Sequence, residues 1–153
     1  MPQSTAQERA SAPPATTPDH FVTIARYDGQ RVAAGEPAIR SLSIVVPVYN
    51  EEGNLPELHR RLTEVLAAIG LPYEIVVVDD GSKDGTWRII QELHALDTHV
   101  VALRHRRNFG KAQGLANGFA VARGDVIVTM DGDLQDDPTE LPRFLSTLDE
   151  GYD

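Results

Sequence analysis

The chain has 153 residues, of which 41% are hydrophobic, 24% charged and none cysteine. That suits one domain of ordinary size or part of a larger one, and excludes a disulfide-built fold, thiolate metal sites and thiol nucleophiles. Fourteen Lys and Arg against 23 Asp and Glu give a formal charge of −9, opposite in sign to that of a general nucleic-acid binder.

Residues 1–40 carry four charges of each sign, so the negative surplus lies entirely in 41–153. Clustered carboxylates without thiols favour hard cations such as Mg2+ or Mn2+ over softer metals, although most acidic side chains simply face water. Residues 1–40 read as a disordered or loosely packed tail. The first 20 hold four prolines and no apolar core of a signal peptide. Phe21 to Tyr27 alternates weakly and reads as an edge strand or packed arm. The domain is expected over 41–153.

From Leu42 the pattern is regular. Leu42-Ser43-Ile44-Val45-Val46, ended by Pro47, reads as a buried strand. Leu55, Leu58, Leu62, Val65, Leu66 and Ile69 form one helical face, with Asn54 and Glu57 spaced as a capping box and Gly70 and Pro72 as stop signals. Glu74 to Val78 is the next strand. A helix from about Thr86 follows, with Trp87, Ile90 and Leu93 inward. Val100 to Leu103 is a third strand. A helix over roughly 110–123 packs through Ala112, Leu115, Ala116 and Phe119, and Val126 to Met130 is a fourth strand. Leu141, Phe144, Leu145 and Leu148 mark a last helix, closed by Gly151.

Four strand–helix alternations predict an α/β, Rossmann-like domain with a mostly parallel sheet covered on both faces. Right-handed crossovers then place every strand's C-terminal end on one edge. No run of 18 apolar residues occurs.

The polar residues with chemical potential follow those strands, at the edge where open α/β sheets bind ligands. Asp131-Gly132-Asp133 places two carboxylates on one side of an extended chain, about 6.6 Å apart along it. They can share a divalent cation that also holds a diphosphate. Gly132 lets the backbone approach a ligand, and Gln135 offers a neutral oxygen. Asp136 and Asp137 favour the start of the next helix, with Pro138 an early helical residue. Asp79 and Asp80 are adjacent and point opposite ways, so at most one need face the crevice; for either alone, ligand contact and a structural turn are evenly balanced. Tyr49 either stacks on a nucleotide base or packs at the sheet edge. Arg104-His105-Arg106-Arg107 with Lys111 forms the basic cluster, and Lys111, nearest the helix start, is the preferred phosphate partner. The histidines read as surface or packing residues.

Three ordered segments carry a resemblance: Ile44 to Glu52 (IVVPVYNEE), Ile75 to Thr86 (IVVVDDGSKDGT) and Arg107 to Pro138 (RNFGKAQGLANGFAVARGDVIVTMDGDLQDDP). The chain resembles the family 2 glycosyltransferases of GT-A fold over about 42–153, and most closely their polyprenyl-phosphate sugar transferase branch. The resemblance implies metal-dependent, inverting transfer of a sugar from a UDP- or GDP-linked donor to a polyprenyl phosphate in cell-envelope glycan synthesis. Pro47, Tyr49, Glu51 and Asp80 would hold the nucleotide, with Asp79 beside them. Asp131, Asp133 and Gln135 would bind Mg2+ or Mn2+. It further implies a donor-binding half, incomplete at the C-terminus, whose catalytic carboxylate lies beyond Asp153 and which has little or no transfer activity alone. Membrane association at the cytoplasmic face would come through C-terminal helices of the longer protein. A phosphotransfer receiver domain fits less well, because Leu103 leads into a basic segment. A nucleotide-sensing or interaction module stays open.

Overall fold

The computed structural model describes Thr23–Ala25 and residues 39–149. The expected disordered tail over 1–20 and the closing Gly151 lie outside the described residues. In chain order the elements are β1 (Thr23–Ala25), β2 (Leu42–Val48), α1 (Leu55–Ile69), β3 (Tyr73–Asp79), α2 (Thr86–Leu96), β4 (Val100–Arg104), α3 (Lys111–Val121), β5 (Val126–Thr129), a 3-10 turn (Pro138–Glu140) and α4 (Leu141–Asp149).

The strands form one sheet in the order β1-β5-β2-β3-β4. β5, β2, β3 and β4 run parallel, while β1 pairs antiparallel on β5 as the edge strand expected near Phe21 to Tyr27. The chain lays β2, β3 and β4 in one direction, then returns to place β5 on the other side of β2. The switch point therefore falls between β2 and β5, where a crevice opens at the strands' C-terminal ends.

Period-two alternation feeds two cores. Leu42, Ile44, Val46 and Val48 of β2, Ile75 and Val77 of β3, and Val126 and Val128 of β5 meet α1, α2 and α4. Val45, Val76, Val78 and Ile127 point the other way, towards Leu115 and Phe119 of α3. Leu55, Leu58, Leu62 and Leu66 form the buried stripe of α1, each contributing about 1.5–3 kcal/mol of apolar burial.

Two local expectations are corrected. Asn54 makes no side-chain cap; its Nδ2 donates to Glu51 Oε2 at 2.7 Å, and Glu57 is held by Arg60 and Arg61. The α1 stop holds, with Gly70 left-handed at φ 76° and its N–H donating to Leu66 O. On α3, Ala112 and Ala116 are exposed, and the buried positions are Gly114 and Gly118. A Cβ on Gly118 would stand 2.4 Å from Val45 Cγ1. The missing side chains let this helix lie directly on the sheet.

Candidate functional site

Parallel register levels the strand ends: Val48 pairs with Asp79, and Asp79 with Arg104. The ladder runs on into the loops, with Asp80 N–H donating to Val48 O and His105 N–H to Asp79 O, both at 2.8 Å. The loops after β2 and β3 are then joined. Asn50 N–H donates to Ser82 Oγ (2.8 Å), Glu51 N–H to Thr86 Oγ1 (2.8 Å), and Lys83 N–H to Asn50 Oδ1 (2.9 Å). Gly81 (φ 74°) admits the crossing loop: a Cβ there would stand 2.4 Å from the Arg107 carbonyl carbon.

These loops enclose a cavity of about 260 Å³ lined by Pro47, Val48, Tyr49, Glu51, Asp80, Asn108, Gly110, Lys111, Asp131, Gly132 and Asp133. Of the residues singled out from sequence, Pro47, Tyr49, Glu51, Asp80, Lys111, Asp131 and Asp133 meet there, while Asp79 and Gln135 do not line it. Asp79 is fully buried. Its Oδ1 accepts from Ser82 N–H at 2.9 Å, and its Oδ2, without a hydrogen bond, lies 3.3 Å from Arg104 Nε. Of the adjacent pair, Asp80 faces the cavity and Asp79 holds the turn. Gln135 is exposed, and its N–H donates to Asp133 Oδ1 at 3.1 Å.

The Asp131–Asp133 rim is built with local strain. Leu134 is left-handed at φ 65°, as is Asn50 (φ 54°) across the cavity; these are the non-glycine residues with positive φ among those described, and both lie in loops at the site. Gly132 is explained by packing rather than by ligand approach, because a Cβ there would stand 2.6 Å from Val48 Cγ1. Asp136, expected at the helix start, is instead buried, and its Oδ2 accepts from Asp131 N–H at 2.8 Å. Asp137 does serve the start of the 3-10 turn, accepting from Thr139 N–H at 3.0 Å.

Lys111 Nζ donates to Asp131 Oδ1 across the cavity. The rim thus already attracts a cation. Among the described residues no group of three or more His, Cys, Asp or Glu is placed to hold a metal ion alone. Two carboxylate donors fit a hard ion that takes its remaining oxygens from water and a bound phosphate.

Asp80 collects three donors: Phe109 N–H and His105 on Oδ1, and Gly110 N–H on Oδ2. Burial works against its charge, but these hydrogen bonds hold its carboxyl below the ordinary value. A second cavity of about 730 Å³ is lined by Tyr49, Gly81, Ser82, Lys83, Arg104, His105, Arg106, Arg107 and Asn108, sharing Tyr49 and Asn108 with the first. The partners of His105, and Asn108 as a lining residue, escaped the sequence reading. The basic run marked only the neighbourhood.

Comparison with known proteins gives the family and the fold. An undecaprenyl-phosphate 4-deoxy-4-formamido-L-arabinose transferase of Klebsiella pneumoniae subsp. pneumoniae is 45% identical over 118 residues, 76% of this chain and 36% of the relative. The chain therefore spans about a third of that relative's length. A mannosyltransferase from Pyrobaculum calidifontis, solved with GDP-Man and Mn2+, is similar at 28% identity and a TM-score of 0.54, over 62% of this chain and 28% of the other. Glucosyl-3-phosphoglycerate synthase of Mycobacterium tuberculosis, solved with Mn2+, UDP and phosphoglyceric acid, is 26% identical with a TM-score of 0.56, over 71% and 39%. The expected GT-A architecture is shared with these neighbours. The model for glycosyl transferase family 2 matches residues 43–153, and the chain belongs to that family.

Proposed function

We propose that the chain carries the donor-binding half of a glycosyltransferase that moves a sugar from a UDP- or GDP-linked donor to a polyprenyl phosphate, with a divalent cation and with inversion. The observation that carries this reading is the meeting of Asp131, Asp133 and Lys111 with Pro47, Tyr49, Glu51 and Asp80 around one cavity at the switch point. The name of the Klebsiella relative supports the lipid phosphate acceptor, and the ligands of the solved neighbours support a nucleotide diphosphate with Mn2+.

In this reading the base and ribose lie against Pro47, Tyr49 and Glu51, with the basic cavity beyond. Asp80 orders the wall, and Asp79 supports the turn behind it. Lys111, at the start of α3, turns from Asp131 to the diphosphate. Asp131 and Asp133 would hold Mg2+ or Mn2+, with Gln135 alongside, supplying positive charge to the leaving diphosphate.

The acceptor's phosphate oxygen attacks the anomeric carbon opposite the leaving group. The new C–O bond forms as the bond to the nucleoside diphosphate breaks, which inverts the centre. A phosphate oxygen is already ionised at neutral pH, so alignment and charge placement weigh more than a strong base. Among the described residues no helix is long and apolar enough to cross a membrane.

Calorimetric titration of the chain with UDP and GDP, in Mn2+ and then in chelator, tests the proposal. Binding of at least one diphosphate that weakens tenfold or more on chelation is expected, by about 1.4 kcal/mol. Tight binding indifferent to metal would favour a nucleotide-sensing module, and no binding would refute both readings.

A further inference from the structure

Behind the cavity wall, polar side chains form one directed chain. Gln113 Nε2 donates to Asn117 Oδ1 at 3.0 Å, which turns the Asn117 amide so that its Nδ2 faces His105 Nε2 at 2.7 Å. An amide nitrogen donates, so Nε2 accepts and the ring proton sits on Nδ1. Nδ1 lies 2.7 Å from Asp80 Oδ1, which accepts. A neutral ring satisfies every partner, whereas turning both amides over would require a second proton on it. His105 is 8% exposed and Asp80 3%, so these hydrogen bonds act in a low-dielectric setting.

Asp80 sits at the end of the chain and the start of a clamp. Its oxygens accept from Phe109 N–H and Gly110 N–H, each at 2.8 Å. Gly110 has φ 96° and is the last residue before α3, and Asn108 and Lys111 on either side of the clamped pair line the cavity. The geometry points to His105 as a positioning residue. Through Nδ1–H it orients the Asp80 carboxylate, the carboxylate fixes the 108–111 segment, and that segment presents Lys111 to the diphosphate. What the clamp serves rests on the donor-site reading; the clamp itself does not.

Two substitutions separate this role from mere space filling. Asn at 105 carries an amide nitrogen near the place of Nδ1, and Gln reaches towards the place of Nε2 while filling more of the ring's volume. Amide hydrogen exchange at Phe109 and Gly110 and calorimetric affinity for UDP and GDP with Mn2+ are read on the whole chain. His105→Asn should keep both within about threefold, while His105→Gln loses about tenfold in each, the scale of a buried carboxylate hydrogen bond. Protection equal in the two variants, or better kept by Gln, overturns the inference.

Should neither variant fold, Asn117→Ala reads the chain from the half-buried link on the other side of the ring. Loss of protection at Gly110 by about threefold supports the relay, and unchanged protection refutes it. If the parent chain binds neither diphosphate, the donor-site reading falls, while the exchange pattern still decides the clamp.

Discussion

Alanine at Gly118 would put a methyl group 2.4 Å from Val45 Cγ1 and 3.4 Å from Val78 Cγ2. Both valines are fully buried in central strands, so neither can withdraw without moving the sheet. Overpacking of this kind costs about 1–3 kcal/mol, and the absence of any yielding neighbour argues for the upper end. Alanine returns about 1 kcal/mol of helix propensity, leaving a net loss of about 2 kcal/mol. Gly114, one turn earlier, is the internal control. A Cβ there meets Pro47 Cβ at 3.3 Å and Val78 Cγ1 at 3.9 Å, an adjustment of tenths of an ångström that the propensity gain offsets. Thermal unfolding should therefore show Gly118→Ala about 6–12 °C below the parent and Gly114→Ala within about 3 °C of it. Equal melting of the two variants would refute the claim that α3 is seated by backbone-to-sheet approach at Gly118.

Three further outcomes follow from the same contacts. Lys111→Met should weaken diphosphate binding about tenfold, the scale of a charge-assisted hydrogen bond, while strengthening Mn2+ binding in the absence of nucleotide by about two- to fivefold, because the lost partner of Asp131 is exposed; calorimetry with each ligand separates the two signs. Asp136→Ala should cost about 1–3 kcal/mol in urea unfolding by leaving Asp131 N–H without its acceptor, and should also reduce Mn2+ affinity. Stability should fall with acid as the pH drops through and below 3.8. The carboxyls of Asp80, Asp84 and Asp97 are held below 3.8 against the opposing push of burial, by Phe109 N–H, the Thr86 hydroxyl and His99 N–H respectively, and Asp137 is held down by Thr139 N–H. The unfolded chain takes up protons first, so this stabilisation is complete above 3.8 and is lost as pH falls through the lower folded values; urea midpoints at pH 7, 4.5 and 3 read it.

Strand and helix placement was legible because it rests on local periodicity. The apolar runs at Leu42 and Glu74 and the leucine spacing of α1 each declare themselves within a few residues. The site's address was legible for the same reason, since parallel strands deliver their following loops to one edge. What escaped depends on partners far along the chain. His105 owes its role to Asp80 and Asn117, 25 and 12 residues away, so in isolation it reads as no more than a surface or packing residue of a basic run. Asp136 looked like a helix-start carboxylate because dipole reasoning sees only the next element, yet its oxygen turns back to Asp131. Periodicity also misjudged half of the buried face of α3, where Leu115 and Phe119 pack inward but Ala112 and Ala116 are exposed. It weighs side chains, whereas here contact is made where Gly114 and Gly118 have none.

In the proposed function, the Asp131–Gly132–Asp133 rim holds the cation that meets a nucleoside diphosphate. Electron paramagnetic resonance of Mn2+ reads this directly, because bound ion loses the free-ion signal. With UDP or GDP present, the parent chain should remove that signal beyond what the nucleotide alone removes, and Asp131→Asn and Asp133→Asn should return it to the protein-free level. Variants that bind Mn2+ as the parent does would contradict the account.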